Sequence, residues 1–331
     1  MVQIHRRRFL LVTGTMLSAP LPSFAQQPPT KIPRIGFLGV STPAAWGPRV
    51  DALRAGLRDL GYVEGKNIAM EFRFAQGQYE RLPELAAELV QLKVDVIVTH
   101  SAPGAIAAKQ ATATNPIPVV MTNVGDAVGS GIVASLARPG GNVTGDTFFV
   151  TELIPKRLEV LKDAIPSVRR MAILVNPDNA AMGQYLQGME TTAKGLNVAL
   201  LTFQVRNATD LDGAFAAMAK EGVDALAVIE DVVLIANFKR IAELAIQRRL
   251  PSISFVEYAD AGGLFGYGAD FLALYRRAAF FVDRILKGAK PGDMPIERPT
   301  KFEFVVNMKT ANALGLMIPQ SLVVRADKVI Q

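Results

Sequence analysis

An apolar strand opened by Val-Asp occurs twice in this chain, each time after an amphipathic helix and a short turn. The two copies are Val94-Asp95-Val96-Ile97-Val98 and Val223-Asp224-Ala225-Leu226-Ala227-Val228-Ile229. A second pair of motifs follows, Ile117-Pro118-Val119-Val120 and Leu250-Pro251-Ser252-Ile253. The aspartates stand 129 positions apart and the prolines 133. One near-constant shift across separate motifs argues for two copies of one α/β lobe. The length of 331 residues accommodates them, at roughly 150 residues per domain. With 50% hydrophobic and 20% charged residues, each copy can bury a core.

Short apolar runs alternate with helical periodicity around these motifs. Residues 34–40 read as a buried strand bounded by Ser41-Thr42-Pro43. Residues 47–60 place Val50, Leu53, Leu57 and Leu60 on one helical face, and Gly61 stops that helix. Further strands are expected at 67–74, 94–99, 117–122, 171–175, 199–204 and 223–229. Helices are expected at 80–92, 105–113, 181–194 and 210–220. Such alternation predicts α/β architecture, two doubly wound Rossmann-like lobes with parallel sheets. Ligands of open parallel sheets sit beyond the carboxyl ends of the strands. Two facing lobes therefore line one closable cavity.

The amino terminus has a different character. Arg6, Arg7 and Arg8 precede an apolar run over 9–19, broken by Pro20 and Pro22, with small residues in Ser23-Phe24-Ala25. This is the three-part pattern of an export signal. The run falls well short of the ~20 residues that span a bilayer. Arg6-Arg7-Arg8-Phe9-Leu10 is similar to the twin-arginine consensus, with His5 where Ser or Thr is usual. General-secretion signals also carry such arginines, so both routes stay open. Residues 1–25 are expected to be cleaved and 26–33 to form a leader, leaving a periplasmic protein that begins near Gln26. Cleavage takes the formal charge from +6 to +3 by removing three arginines. No basic tract with interleaved aromatics exists, which argues against a nucleic-acid partner. The absence of cysteine excludes disulfides, thiolate metal sites, a cysteine nucleophile and a lipidated cysteine. Two histidines leave little material for a metal site, and no metal or other cofactor is expected.

Enzyme signatures are largely missing. Gly61-Tyr62-Val63-Glu64-Gly65-Lys66-Asn67 has one residue too few between its glycines for a phosphate loop. It also follows a helix, and reads as a helix stop and turn. No Gly-x-Gly-x-x-Gly follows the first strand, and Gly140-Gly141-Asn142-Val143-Thr144-Gly145 opens no helix. His100-Ser101 lies at a strand end. Adjacent strand residues point oppositely, and no Gly-x-Ser-x-Gly elbow exists. A polar loop or a ligand contact suits this pair better than a catalytic triad. The neighbouring carboxylates Glu230-Asp231 suit ligand binding or solvation better than acid–base work.

Several segments together carry a family resemblance. They are Ile35-Gly36-Phe37-Leu38, the run 56–67 from Gly56-Leu57-Arg58 to Gly65-Lys66-Asn67, Val94-Asp95-Val96-Ile97-Val98, and the most specific, Ser135-Leu136-Ala137-Arg138-Pro139-Gly140-Gly141-Asn142-Val143-Thr144-Gly145. Further along come Gly262-Gly263-Leu264-Phe265-Gly266-Tyr267-Gly268, Ile285-Leu286-Lys287-Gly288-Ala289-Lys290-Pro291, and Asn307-Met308-Lys309-Thr310-Ala311-Asn312-Ala313-Leu314-Gly315. In this order and spacing, over nearly all of the chain beyond the signal, they resemble the ABC-transporter substrate-binding proteins of the tryptophan/tyrosine-binding type. One departure is Ala127, where the family usually has Pro after the aspartate.

The resemblance implies the type I periplasmic binding protein fold, with three crossings between lobes. These would lie near Thr144-Gly145, near Ala261-Gly262-Gly263, and over 291–299. Glycine and proline there suit hinges. A strand at 264–268 and a helix at 271–288 would return to lobe one, and a strand at 302–307 would belong to lobe two. Lobe one would then be 34–145 plus 264–290, and lobe two 146–263 plus 291–331. The function implied is capture of a small ligand in the interlobe cleft, without bond making or breaking, and delivery to an ABC permease in the inner membrane. The ligand expected is an amino acid or related small polar or aromatic molecule. An exported hydrolase and a ligand-sensing module of a signalling system are the alternatives.

Candidate ligand contacts lie just beyond the strand ends: Ser41, Thr42, Trp46, Ser101, Asn123 and Asp126 from lobe one, and Asn176, Asp178, Glu230 and Asp231 from lobe two, with Tyr267 near the returning strand. For a zwitterion, the hydroxyls of Ser41, Thr42 and Ser101 and free helix-start N–H groups would take the carboxylate. Asp126 or Asp231 would take the ammonium, and Trp46 would stack on an apolar or aromatic side chain. Asparagine at either aspartate is expected to weaken binding while leaving the unliganded fold intact.

Overall fold

A computed structural model describes residues 31–148, 150–179 and 181–331. The export signal and most of the leader lie outside the described residues. Lobe one is built from β1 (Arg34–Gly39), α1 (Pro43–Asp59), β2 (Ala69–Phe74), α2 (Leu82–Gln91), β3 (Val96–His100), α3 (Ser101–Ala111), β4 (Val119–Val124) and β5 (Val143–Thr147). The chain continues with α4 (Val150–Ala164), β6 (Arg170–Val175), α5 (Met182–Gly195), β7 (Ala199–Gln204), α6 (Asp210–Glu221), β8 (Ala225–Val228), α7 (Val232–Ala236), α8 (Phe238–Gln247), β9 (Ser252–Ser254), α9 (Val256–Asp260) and β10 (Phe265–Gly268). It closes with α10 (Phe271–Leu286), β11 (Glu303–Asn307), α11 (Met308–Leu314), α12 (Gln320–Arg325) and β12 (Lys328–Ile330).

Among the described residues the strands form two sheets, ordered β2-β1-β3-β4-β5 and β12-β11-β10-β9-β8-β6-β7. The first is parallel throughout. The second is parallel except for the antiparallel pair β10–β11. Strands such as β3, β4 and β6 are buried along nearly their whole length, as parallel strands covered on both faces must be.

The repeated Val-Asp motif has one structural job in both copies. Asp95 Oδ2 accepts the Arg34 N–H at the start of β1, at 2.8 Å. Asp224 Oδ2 accepts the Arg169 and Arg170 N–H groups at the start of β6, each at 2.8 Å. The prolines match as well. Ile97 N–H donates to Pro118 O, and Leu226 N–H to Pro251 O, both at 2.9 Å.

The chain crosses between lobes three times, at places that differ from the sequence reading. Asp146 and Thr147 still belong to β5, so the first crossing follows Thr147. The strand expected to return to lobe one does not. Phe265–Gly268 pairs with β9 on one side and β11 on the other, inside the second sheet. The second crossing therefore falls between Gly268 and Phe271. Helix α10 starts against the lobe-two core with Phe271 and Leu274, then buries Tyr275, Ala278, Phe281 and Val282 in lobe one. The segment after residue 290, assigned to lobe two by the sequence reading, still packs on lobe one through Ile296, whose N–H donates to Leu136 O at 2.8 Å. Glu297 bonds Gly145 and Thr147 through its backbone, so the third crossing comes after it.

Candidate functional site

Both sheets offer a switch point. Around β1 and β3 in lobe one, and β6 and β8 in lobe two, consecutive loops leave in opposite directions and open a crevice at the strand ends. The two crevices face each other across one cavity of about 390 Å³, counting the space at its mouth. Trp46, His100, Ser101, Asn123 and Phe148 line it together with Asn179, Tyr185, Glu230, Asp231 and Ile235.

Lobe one contributes polar atoms on strained backbone. Ser101 opens α3 with φ +58°, and Asn123 lies in β4 with φ +54°; both are left-handed, which side chains seldom adopt. Buried Ser101 Oγ and Asn123 Oδ1 have no hydrogen-bond partner among the described residues. The cap residue of α3, His100, makes no side-chain cap bond, so the first N–H groups of that helix are also open to an anion. The sequence reading began this helix four residues later, because Pro103 and Gly104 mask its first turn. Proline is tolerated there, where N–H groups lack helical partners anyway.

Lobe two contributes a carboxylate. Glu230 is 8% exposed, and its Oε1 lies 2.5 Å from Arg157 Nη2 on α4. Arg157 is held in turn by Tyr267 O, which accepts from Nε at 2.7 Å. Glu230 Oε2 is buried without a hydrogen-bond partner among the described residues. An ion pair buried this deeply costs desolvation unless its remaining lone pairs are used.

His100 is part of the wall. Its Nε2 accepts the Val40 N–H at 3.0 Å, and Trp46 stacks on its ring at 4.7 Å. Burial first, then the Arg49 charge, holds its pKa down at about 3. A neutral imidazole whose acceptor nitrogen is occupied is no general base at ordinary pH.

Residues 40–330 match the family of ABC transporter substrate-binding proteins. The chain belongs to that family. Its members carry solutes and are not enzymes, so the hydrolase alternative falls. The chain is 28% identical over 274 residues to a tyrosine-binding protein of Clostridioides difficile, covering 81% of this chain and 78% of the relative. It superposes with a TM-score of 0.83 on a conserved domain protein from Vibrio cholerae, at 27% identity over 90% of this chain and all of that one (100%). A Streptococcus pneumonia ABC domain in complex with L-Trp gives 0.81 at 24% identity, over 90% and 99% of the two chains. The shared architecture is the two-lobed type I periplasmic binding protein fold.

Within this substrate-binding fold, five of the sequence candidates line the cavity: Trp46, Ser101, Asn123, Glu230 and Asp231. The other six do not. Thr42 caps α1 by accepting the Ala45 N–H at 3.2 Å. Ser41 is buried beside it, where its carbonyl takes the Gln76 N–H. Asp126 closes a turn by accepting the Val128 and Gly129 N–H groups at 3.1 and 2.8 Å. Asn176 is spent on Asp231 and on the Asp178 N–H. Asp178 is exposed and paired with Arg206 at 3.6 Å. Tyr267 packs edge-on to Phe304 in the second sheet.

Asp231 corrects a second expectation. Its oxygens receive four donors: Asn176 Nδ2 and Val233 N–H on Oδ1, and Tyr79 Oη and Asn179 Nδ2 on Oδ2. It caps α7 and has little capacity left for an ammonium group. Asparagine there would disturb the unliganded fold. Trp46 is fully buried, its Nε1–H donating to Tyr275 Oη at 2.7 Å, so only part of its surface borders the cavity. Phe148, Asn179, Tyr185 and Ile235 escaped the sequence reading. Asn179 follows the candidates Asn176 and Asp178 by three places and one place, in the same loop after β6.

Proposed function

We propose that this chain is an exported receptor for an α-amino acid with a large apolar or aromatic side chain, which it hands to an ABC permease. The observation that carries this reading is the set of buried, unpartnered atoms on opposite walls of one cavity. Ser101 Oγ and the open N–H groups of α3 suit a carboxylate, and Glu230 Oε2 suits an ammonium. Phe148, Tyr185 and the part of Trp46 that borders the cavity offer an apolar surface for the side chain. The tyrosine-binding relative and the L-Trp complex support the choice of side chain. Periplasmic residence follows from the signal-like terminus. Among the described residues no helix is long and apolar enough to cross a membrane.

The test is calorimetry of chain that has been stripped of solute and refolded. L-tyrosine or L-tryptophan is expected to bind, with tyramine and N-acetyltyrosine at least tenfold weaker. Equal binding of tyramine and L-tyrosine would remove the carboxylate role of α3, and binding of neither amino acid would overturn the reading.

A further inference from the structure

At the edge of the cavity, the two lobes touch through a polar contact between short segments. Tyr79, in the turn after β2, donates its hydroxyl to Asp231 Oδ2 at 2.6 Å. Of the four donors that reach Asp231, the other three come from lobe two. Asp231 is 2% exposed and caps α7. That short helix crosses the cleft, because Val232 and Val233 pack in the hydrophobic core of lobe one. Val233 lies against Gly77, two residues before Tyr79. An apolar wedge from lobe two is thus seated in lobe one and fastened beside its tip by one phenol.

We propose that Tyr79 is a positioning residue that latches lobe one onto Asp231, holding the cleft closed and slowing escape of the solute without touching it. Separating the lobes takes one donor from Asp231 and leaves its three lobe-two donors in place. Asp231 therefore stays folded and ready when the cleft opens, and at Asp231 one hydrogen bond makes and breaks; a second polar contact between the lobes, from Arg49 Nη2 to Glu257 Oε1 at 3.3 Å, joins α1 to α9. Burial, followed by the Asp231 charge, pushes the Tyr79 phenol well above its ordinary value, so it remains a donor at any physiological pH. A hydrogen bond to a charged acceptor contributes enough to shift an open–closed equilibrium about tenfold. Asp231 and Asn179 also border the cavity, whereas Tyr79 does not, so the latch joins the cavity wall from behind.

The inference rests on the two-lobe receptor reading but is tested separately from its ligand. The experiment compares the wild-type chain with Tyr79→Phe, which keeps the ring and removes the hydroxyl, after stripping and refolding. Solution scattering without any ligand is expected to give a larger radius of gyration for Tyr79→Phe, at an unchanged melting temperature of the lobes. Stopped-flow release of L-tyrosine, or of L-tryptophan if that binds, is expected to be about tenfold faster in the variant. Equal radii and equal release rates would overturn the latch. If neither amino acid binds, scattering alone decides: expansion of the variant upholds the latch while the amino-acid reading falls, and equal radii overturn it. Should Tyr79→Phe melt lower, scattering and release are measured on both proteins well below the melting onset of the variant, and equal radii and equal release rates there overturn the latch.

Discussion

Ser101 and Glu230 occupy equivalent places in the two lobes: each follows, by six residues, the aspartate that ties its strand to the neighbouring one. Both line the same cavity, and each has a buried oxygen without a partner. The duplicated lobe has thus placed a hydroxyl donor and a carboxyl acceptor at one topological position, on opposite walls. Chemical difference between the copies provides polarity for a ligand with a charged group at either side.

Ser101 separates strain from binding. At φ +58° a serine is strained and a glycine is not. Ser101→Gly is expected to raise stability by about 1 kcal/mol, while Ser101→Ala, which keeps the strain, does not. Both remove the hydroxyl and should weaken L-tyrosine binding about five- to tenfold. Thermal melting and calorimetry on the pair test this; a parallel change of stability in the two variants would refute it.

Gly125 of lobe one meets Tyr185 of lobe two. A methyl group on Gly125 would overlap the Tyr185 hydroxyl and crowd Val150. Gly125→Ala is expected to prevent full closure, giving a larger radius of gyration under saturating L-tyrosine and affinity at least tenfold lower. Adding Tyr185→Phe removes the atom in the way and should restore part of the closure. Scattering that shows full compaction of Gly125→Ala would contradict this contact.

Asp146 predicts a pH dependence. It is 1% exposed beside the third crossing, and burial raises its carboxyl from 3.8 to about 7; the Glu297 charge adds to this, while the Asn123 N–H and Thr122 side chain oppose it. Its folded pKa exceeds the unfolded one. The stability it contributes is therefore fully present below about 4 and is lost as pH rises through about 7. Relative to wild type, Asp146→Asn should gain stability as pH rises across that window and stay level outside it. Melting curves of both proteins from pH 3.5 to 8.5 read the difference; a pH-independent gap would sink the assignment.

The repeated lobe was legible because the same aspartate and proline must fasten the same strands in each copy, which leaves a countable offset. Glu230 was legible from its place after a strand. Arg157 left a signal that went unread: it stands on the apolar stripe of α4 with Leu153, Ile154, Leu158 and Leu161, where an isolated cation needs a buried partner. The sheet that Phe265–Gly268 joins was not legible, since four residues rich in glycine carry no preference between two sheets and the choice rests on contacts with β9 and β11. Nor was the state of Asp231. An aspartate before an apolar turn has the same local sequence whether it caps a helix or greets a ligand, and only the arrival of Tyr79, Asn176 and Asn179 decides.

Helix α10 also sets an order of events during synthesis. All five strands of the first sheet have been made once residue 147 is complete, yet the helix that covers β4 and packs on α1 is not finished until residue 286. Gly56 has no room for a side chain because the α10 backbone at Arg276 lies against it, so the groove on α1 is shaped for that helix. While β6 through β10 emerge, the earlier half of the nascent chain keeps an apolar flank uncovered, a state prone to association with other chains. The lobe whose strands are translated first thus waits through most of its partner's synthesis before its own core is covered, and any chaperone that escorts this chain would find its grip there.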